Sequence, residues 1–241
     1  MKLNIYRTAY ISLLFQLFIG LLCIYGLQIK INKDDYILHE ILLLETIVQC
    51  IEFIFYLWLV FNFNKIEYEV TSTRYFDWII TTPTMLLSTV LFMIYIENKD
   101  KKIVEFKKTI EENKKPLLIV FFTNLLMLLF GFLGDIIKLN RIISFSLGSI
   151  MFSICYYTIY KNFIGTNKLN SYLFYITLII WSLYGIASLF PYVIKNISYN
   201  ILDIFSKNVN GLFIFGYILF ITSSSSSSFS SFSSFLQFFN L

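Results

Sequence analysis

Residues 199–222 read YNILDIFSKNVNGLFIFGYILFIT, and this stretch decides the class of the chain. A helix needs about 20 mostly apolar residues to cross the roughly 30 Å hydrocarbon core of a bilayer. The stretch is long enough to do so, and only Asp203 and Lys207 carry charge within it. We therefore predict a membrane-spanning helix with an aspartate and a lysine inside it.

The composition of the whole chain extends this prediction. Of its 241 residues, 57% are apolar and 14% are charged, against roughly 45–50% and about 25% in soluble proteins. Long apolar runs alternate with polar connections, which predicts an all-α fold, a bundle of seven transmembrane helices. We place the spans at 8–29, 38–62, 73–96, 116–137, 142–162, 171–194 and 199–222. The first run is too long for a signal-peptide core and lacks a following cleavage site, so we count it as a span.

The chain divides into two parts. Residues 1–222 are expected to form the seven-helix membrane domain, and 223–241 form a low-complexity tail of serine and phenylalanine. Such a composition is typical of a poorly ordered or membrane-surface segment, and we assign it no function. The three cysteines and His39 show neither a disulfide framework nor metal-ligand spacing, so we expect no metal site.

Lysine and arginine are distributed unevenly between the two ends of the predicted bundle. The connections after the first, third and fifth spans carry eleven of them, and the opposite end carries six. Because cytoplasmic loops are enriched in these residues, we expect the N-terminus outside and the C-terminus in the cytoplasm. The expected surroundings are a lipid bilayer, without a nucleic-acid partner, and the pattern is compatible with a homo-oligomer.

Ionisable residues inside membrane spans are rare and costly, so each indicates a function. Asp203 and Lys207 are four residues apart and share one face of the seventh span. A structural salt bridge is one interpretation, but it gains little against the desolvation of its two charges. A lysine shielded from water is also a competent amine for forming a Schiff base. We therefore favour a covalent ligand site at Lys207.

The third span supplies matching charges. From Arg74 onward it reads RYFDWIITTPTMLLS, and its spacing puts Arg74, Asp77 and Thr81 on one face. We expect the Thr81 hydroxyl to donate to the Asp77 carboxylate. Two positive charges are expected, one on Arg74 and one on a protonated linkage at Lys207. Two negative charges balance them, on Asp77 and Asp203. A low-dielectric bundle can hold this neutral quadrupole.

These residues resemble the signature sequences of the microbial rhodopsins. The matches are Arg74-Tyr75-x-Asp77-Trp78-x-x-Thr81-Thr82-Pro83 in the third span, Trp181-Ser182-x-Tyr184 in the sixth and Asp203-x-x-Ser206-Lys207 in the seventh. The resemblance covers the third to seventh spans and implies all seven helices. It also implies all-trans retinal, bound covalently to Lys207 through a protonated Schiff base, and a light-activated protein that is not an enzyme.

The resemblance assigns roles to the residues around the retinal. It makes Asp77 and Asp203 the counterions, with Asp77 as the proton acceptor and with Arg74 and Thr81 in the same network. The residues that it places in the retinal pocket are Trp78, Thr82, Met127, Gly131, Trp181, Tyr184 and Ser206.

Departures from the family pattern bear on colour and on transport. Gly185 and Ser188 stand where a proline and a tryptophan are usual, which implies a roomier and more polar pocket. Ser88 stands at the position of the cytoplasmic proton donor, and a serine cannot supply a proton from its own acidity. An outward proton pump with Asp77 as the acceptor is still possible. The Schiff base would then be reprotonated slowly, or Glu45 would act as a substitute donor.

The second span favours ion conduction. Glu45, Gln49, Glu52 and Tyr56 recur at helical spacing and form one polar stripe. Hydrogen bonding between helices is the structural interpretation of such a stripe, but carboxylates along a hydrated path are also how cation pores attract ions. The first and seventh spans add further polar residues to the expected pathway, namely Ser12, Gln16, Asn200 and Asn210.

This pattern resembles the first group of viral rhodopsins from large algal viruses, whose members act as light-gated cation channels. Relatives with the same Asp77-Thr81-Ser88 triplet have also been regarded as outward proton pumps. We favour the channel, with cations or protons as the transported species. Two other functions stay open, a sensory photoreceptor without transport and an intramembrane hydrolase that uses Asp77 and Asp203. The hydrolase would leave Lys207 unexplained.

Overall fold

The computed structural model describes residues 2–66, 70–137 and 139–226, which form a helical bundle. The helices are α1 (Lys2–Gly26), α2 (Ile37–Ile66), α3 (Val70–Asn98), α4 (Phe106–Glu112), α5 (Lys114–Asp135), α6 (Arg141–Phe163), α7 (Lys168–Ser188), α8 (Tyr192–Asp203) and α9 (Val209–Ser226). A π turn, Ile204–Asn208, joins α8 to α9. Within the described ranges, seven helical stretches are long and apolar enough to cross a membrane, and α8, the π turn and α9 together make the last of them. The predicted fold class is confirmed.

Apolar side chains cover the bundle both outside and inside. Phe61 and Phe76 point outward and are 79% and 76% exposed, as suits a surface that faces lipid tails. Inside, one apolar cluster around Leu42 and Phe92 fills the end of the bundle where α1 meets α2. A second cluster around Leu59 fills the opposite end. The polar residues of the site lie between these two clusters.

The boundary between the sixth and seventh spans differs from the prediction. The predicted sixth span ran to residue 194, whereas α7 ends at Ser188 and α8 begins at Tyr192. Pro191 precedes the first turn of α8 with φ −56° and ψ 152°. Its fixed φ and missing N–H end one helix and are tolerated at the start of the next. The apolar residues on both sides of the proline concealed this break.

The long connection after α3 contains a helix that we did not predict. Phe106 and Ile110, one turn apart on α4, pack against the apolar cluster at this end of the bundle, and Val104 is buried in it. The surrounding residues are mostly charged, so these three apolar positions do not stand out in the sequence. The connection therefore covers the end of the bundle.

Helix α7 is attached to its neighbours at both ends. At its start, the Glu97 carboxylate of α3 accepts hydrogen bonds from the main-chain N–H groups of Thr166 and Asn167, each at 3.1 Å. At its end, the Arg141 guanidinium of α6 donates to the Ser188 carbonyl oxygen at 2.5 Å. Both attachments involve charged side chains, which form stronger hydrogen bonds than neutral ones.

The C-terminal tail is described only in part. Helix α9 continues to Ser226, so its last turn includes residues that we had assigned to the tail. Residues 227–241 lie outside the described part of the chain.

Candidate functional site

The buried lysine of the π turn is the centre of the site. Lys207 Nζ lies 2.9 Å from Asp77 Oδ2 of α3 and 3.5 Å from Asp203 Oδ1 of α8. Glu52 of α2 pairs with the same nitrogen through Oε1. All four side chains are buried. The structure thus brings Asp77, Asp203 and Lys207 together, and it adds Glu52, which we had placed in the ion pathway.

Glu52 changes the charge balance of the site. Arg74 and a protonated Lys207 carry two positive charges, but Asp77, Asp203 and Glu52 offer three carboxyl groups. The predicted quadrupole is therefore incomplete. Because a low-dielectric interior favours a neutral sum, we expect one of the three carboxyl groups to hold a proton.

Arg74 is the centre of a hydrogen-bonded network, the Arg74 network, formed by Arg74, Tyr56, Tyr184, Asn200 and Asp203. Arg74 Nη1 lies 3.0 Å from Asp203 Oδ2 and 3.3 Å from Tyr56 Oη, and Nη2 donates to Asn200 Oδ1. The Tyr56 hydroxyl donates to Asp203 Oδ2 at 2.5 Å, and the Tyr184 hydroxyl donates to Oδ1 at 2.7 Å. Both oxygens of Asp203 therefore accept hydrogen bonds, which fixes the carboxylate.

The sequence did not assign Asn200 or Tyr56 to this network. Asn200 Nδ2 donates to Ile5 O at 3.1 Å and to Thr8 Oγ1 at 2.8 Å, so it links the network to α1. Asn200 precedes Asp203 by three residues on one helix face, and this spacing was the available indication of a shared site. For Tyr56, the indication was its position at the end of the polar stripe.

Thr81 has a partner in the main chain. Its hydroxyl donates to the main-chain carbonyl of Asp77 at 3.0 Å. Threonine in a helix often bonds the carbonyl four residues earlier, which satisfies its donor locally. No described residue donates a hydrogen bond to Asp77 Oδ1. The bond between Thr81 and the carboxylate stays a prediction, and Asp77 Oδ1 is available to a proton.

A cavity of about 340 Å³ lies beside Lys207, between α3, α5, α6 and α7. Every residue that we predicted for the pocket lines it, together with Lys207: Trp78, Thr82, Met127, Gly131, Trp181, Tyr184 and Ser206. Gly131 keeps part of the space open, because a Cβ there would lie 2.9 Å from Tyr75 Oη. Apolar walls and one primary amine suit an apolar aldehyde such as retinal, and the volume lies within the range of ligand pockets. The residues present therefore fit the cofactor.

Aromatic rings form one wall of this cavity. Trp78 packs edge to face against Tyr184 and Tyr199, with centroids 5.8 and 5.0 Å apart. Tyr199, which we did not predict, stacks on Tyr184 with a centroid distance of 5.8 Å. Such contacts favour a single ring orientation. The wall next to Lys207 is therefore held in place by its own packing.

A hydrogen bond joins α3 to α5 beside the cavity. Asn124 Nδ2 of α5 donates to Thr82 Oγ1 at 2.8 Å, and Thr82 Oγ1 donates to the Trp78 carbonyl at 2.7 Å. Thr82 therefore connects α5 to the helix turn that carries Trp78. Spacing within a single helix gives no indication of this contact.

Glu45 of α2 forms a small polar group with Ser88 of α3 and Asn210 of α9. This group, the Glu45 cluster, lies on the side of Lys207 away from the Arg74 network. The Ser88 hydroxyl and Asn210 Nδ2 both donate to Glu45 Oε1, the latter at 2.5 Å. Asn210 Nδ2 also lies 3.4 Å from Ser88 Oγ. The structure thus places a carboxyl group from α2 against Ser88, the position where the family usually has its donor acid.

The other residues of the predicted ion pathway have separate environments. Ser12 Oγ donates to the Asn200 carbonyl at 2.8 Å, and Gln49 Nε2 donates to the Lys207 carbonyl at 3.0 Å. Gln16 is buried, and neither polar atom of its side chain has a partner among the described residues. Ser12, Gln16 and Gln49 are all buried between helices.

Comparison with known proteins supports the resemblance seen in the sequence. Residues 7–221 match the model of the family described as bacteriorhodopsin-like protein. No curated protein sequence matches the chain. Among solved structures, the viral rhodopsin OLPVRII is 28% identical, with a TM-score of 0.79 over 90% of this chain and 98% of that one.

Two further structures share the fold at lower identity. A blue light-absorbing proteorhodopsin from Med12 is 17% identical, with a TM-score of 0.72 over 91% of this chain and 98% of its own. A thermophilic rhodopsin from Rubrobacter xylanophilus is 17% identical, with a TM-score of 0.71 over 89% of this chain and 95% of its own. Since the family model covers nearly all of the helical bundle, the chain belongs to the bacteriorhodopsin-like family, the microbial rhodopsins, as its sequence indicated.

Proposed function

We propose that the protein is a light-gated cation channel with retinal attached to Lys207. Members of its family bind retinal through a Schiff base to a lysine, and they carry out light-driven ion transport or signalling. Most of them are not enzymes. The chain is an integral multi-pass membrane protein. On the distribution of lysine and arginine, we place its N-terminus on the outer side of the membrane.

The residues around the cavity supply the binding and orientation of retinal. Trp78, Trp181 and Tyr184 line the space in which retinal would lie. Lys207 Nζ provides the attachment and holds a proton 2.9 Å from Asp77 Oδ2. When bound, retinal supplies the light absorption and the isomerisation that start the cycle.

Asp77 is the proton acceptor in this proposal. Its Oδ2 is within hydrogen-bond distance of Lys207 Nζ, so the transfer needs no movement of the helix. In the described part of the chain, Asp77 Oδ1 accepts no hydrogen bond, whereas both oxygens of Asp203 are occupied by donors. The proton therefore passes from Lys207 Nζ to Asp77, while Arg74 keeps Asp203 in place.

The Glu45 cluster is the observation that carries the choice of a channel. Glu45 is fully buried at the contact of α2, α3 and α9. A carboxyl group at such a constriction attracts cations from a hydrated path. Ser88 and Asn210 both donate hydrogen bonds to Glu45 Oε1. Opening requires these two contacts to separate, so that water and a cation replace them.

An outward proton pump is the second candidate, and the same cluster favours it in one respect. The contact between Ser88 and Glu45 puts a carboxyl group where a cytoplasmic donor acid is needed. Glu45 would then return a proton to Lys207 Nζ after Asp77 has accepted one. Glu45 would thus attract cations in the channel and donate a proton in the pump.

Photocurrent recorded in retinal-supplied mammalian cells, stepped through membrane voltage under altered ion gradients, distinguishes the two. We expect a current that reverses sign, with a reversal potential that follows the cation gradient. A current that stays outward at every voltage and ignores sodium and potassium would establish the pump. A pigment with a complete photocycle and no current would establish a sensory protein. The Lys207→Ala variant is the control for currents unrelated to the pigment.

A further inference from the structure

We infer that Gln49 is a positioning residue for the retinal lysine. Its side-chain amide holds the main-chain carbonyl of Lys207 within the π turn, and it does not line an ion pathway. The inference rests on the proposed attachment of retinal at Lys207. It also changes the place that the sequence suggested for Gln49, which was a pathway residue between Glu45 and Glu52.

The first argument comes from the backbone around Lys207. Ile204–Asn208 is a π turn, a rare departure from the regular hydrogen bonding of an α-helix. Buried carbonyl groups need hydrogen-bond partners, and an irregular turn gains most from a donor on a neighbouring helix. Gln49 Nε2 of α2 supplies such a donor, 3.0 Å from the Lys207 carbonyl oxygen.

The second argument comes from the orientation of the amide. If the amide were reversed, its Oε1 would face the Lys207 carbonyl oxygen, and two acceptors would stand in contact without a hydrogen between them. Within the described residues, Gln49 Oε1 accepts no hydrogen bond. The contact with the carbonyl is therefore the polar contact that orients this side chain.

The third argument comes from packing. Gln49 is fully buried, and glycines of two neighbouring helices enclose it. A Cβ on Gly20 of α1 would lie 3.6 Å from Gln49 Cβ. A Cβ on Gly211 of α9 would lie 3.5 Å from Gln49 Nε2 and 3.1 Å from Cys23 Sγ. Gln49 is therefore packed closely between α1 and α9, which suits a side chain that positions the backbone of Lys207.

The bond at the carbonyl affects the amine because both groups are attached to the same Cα. If the amide is lost, the π turn can relax, and Lys207 Nζ then shifts relative to Asp77 Oδ2, which is 2.9 Å away. Since the counterion distance sets the polarity around the linkage, the absorption maximum should move. The pigment should also lose retinal more easily in the dark.

Two buried amides allow a matched test. Gln49→Met keeps the length of the side chain and removes its donor. Asn170→Leu removes an equally buried amide that donates to the Met93 carbonyl at 2.9 Å, far along the bundle from Lys207. We expect Gln49→Met to shift the absorption maximum and to bleach thermally about three- to tenfold faster, the effect of one hydrogen bond. We expect Asn170→Leu to leave the maximum unchanged.

A spectroscopic readout tests the bond itself. With lysine labelled at its carbonyl carbon, the NMR signal of Lys207 should move in Gln49→Met and stay in Asn170→Leu, whether or not retinal is bound. If Gln49→Met fails to fold, Gln49→Glu keeps the size of the side chain. At a pH high enough to ionise this glutamate, as judged by its carboxylate infrared band, it cannot donate, and the same carbonyl signal should move.

Two results would overturn the inference. One is an unchanged carbonyl signal and absorption maximum in a folded Gln49 variant. The other is an unchanged spectrum together with altered sodium-to-potassium permeability, which would return Gln49 to the pathway. Failure of the proposed function looks different, because the unsubstituted protein would then bind no retinal, or Lys207→Ala would retain it.

Discussion

The Arg74 network and the Glu45 cluster lie on opposite sides of Lys207 and differ in construction. In the network, each charged group meets several partners, so the removal of one leaves others buried and uncompensated. In the cluster, two neutral side chains donate to one oxygen of a single carboxyl group. The network is therefore suited to fixing the geometry of the site. The cluster is suited to opening, since only two contacts must separate.

The largest expected effect comes from removing Lys207, the residue that lies between the two regions. Lys207→Ala should abolish the pigment, because Lys207 is the lysine that lines the cavity among the described residues. Visible absorption after reconstitution with retinal measures this. Lys195→Ala is the matched control, since Lys195 is the other lysine of the same helical stretch and pairs with Asp135 instead. Pigment that survives in Lys207→Ala would place the attachment elsewhere.

The second largest effect is expected at Asp77, the proton acceptor that lies beside the Arg74 network. Asp77→Asn should shift the absorption to the red and slow the proton transfer from Lys207 by at least about a hundredfold, as is typical when a positioned acid or base is lost. Time-resolved infrared spectroscopy of the carboxyl C=O bands measures the transfer. Asp35→Asn, which alters a carboxylate bonded to Tyr95, should leave the rate unchanged. An undiminished rate in Asp77→Asn would give the role of acceptor to another carboxyl group.

A smaller effect, on the photocurrent, is expected from a substitution in the Glu45 cluster. Glu45→Gln keeps the shape of the cluster but removes the charge that attracts a cation, worth about 1 kcal/mol or roughly fivefold at short range in a hydrated path. The photocurrent should fall by about that factor while the absorption maximum stays unchanged. Glu40→Gln, in the first turn of the same helix, serves as the control. A loss of absorption in Glu45→Gln would mean that the two regions are not separable.

The smallest effect is expected at Glu52. If Asp77 accepts a proton, it is ionised at rest, and Asp203 is paired with Arg74, so Glu52 is the carboxyl group left to hold the proton. Glu52→Gln should therefore shift the absorption maximum much less than Asp77→Asn does. The measurement is the absorption spectrum of the two variants side by side. Equal shifts would show that Glu52 carries a negative charge in the dark.

The sequence was informative wherever spacing along one helix decided the outcome. The seven spans and the closeness of Asp203 to Lys207 follow from apolar runs and helical periodicity, whereas the pocket residues on α3, α5, α7 and the π turn were expected only from the family resemblance. The resemblance to a known family then gave these residues their expected roles. Those roles stay predictions, because the structure reports positions and contacts.

Contacts between helices were beyond such reasoning. The stripe on the second span placed Glu52 on the correct face, but its height relative to Lys207 depends on how α2 packs against the π turn. The Thr81 hydroxyl donates to a local carbonyl, because a helix always offers that acceptor. Pro191 was visible in the sequence, yet the apolar residues on both sides of it supported a sixth span that continued to residue 194.

The attachments at the two ends of α7 have a mechanical consequence. A helix that is held at both ends can bend at its middle but cannot move along its own axis. Trp181 and Tyr184 lie between the supports at Glu97 and Arg141, on the side that lines the cavity. A change of shape in the cavity would therefore deflect the middle of α7 most, and its ends least.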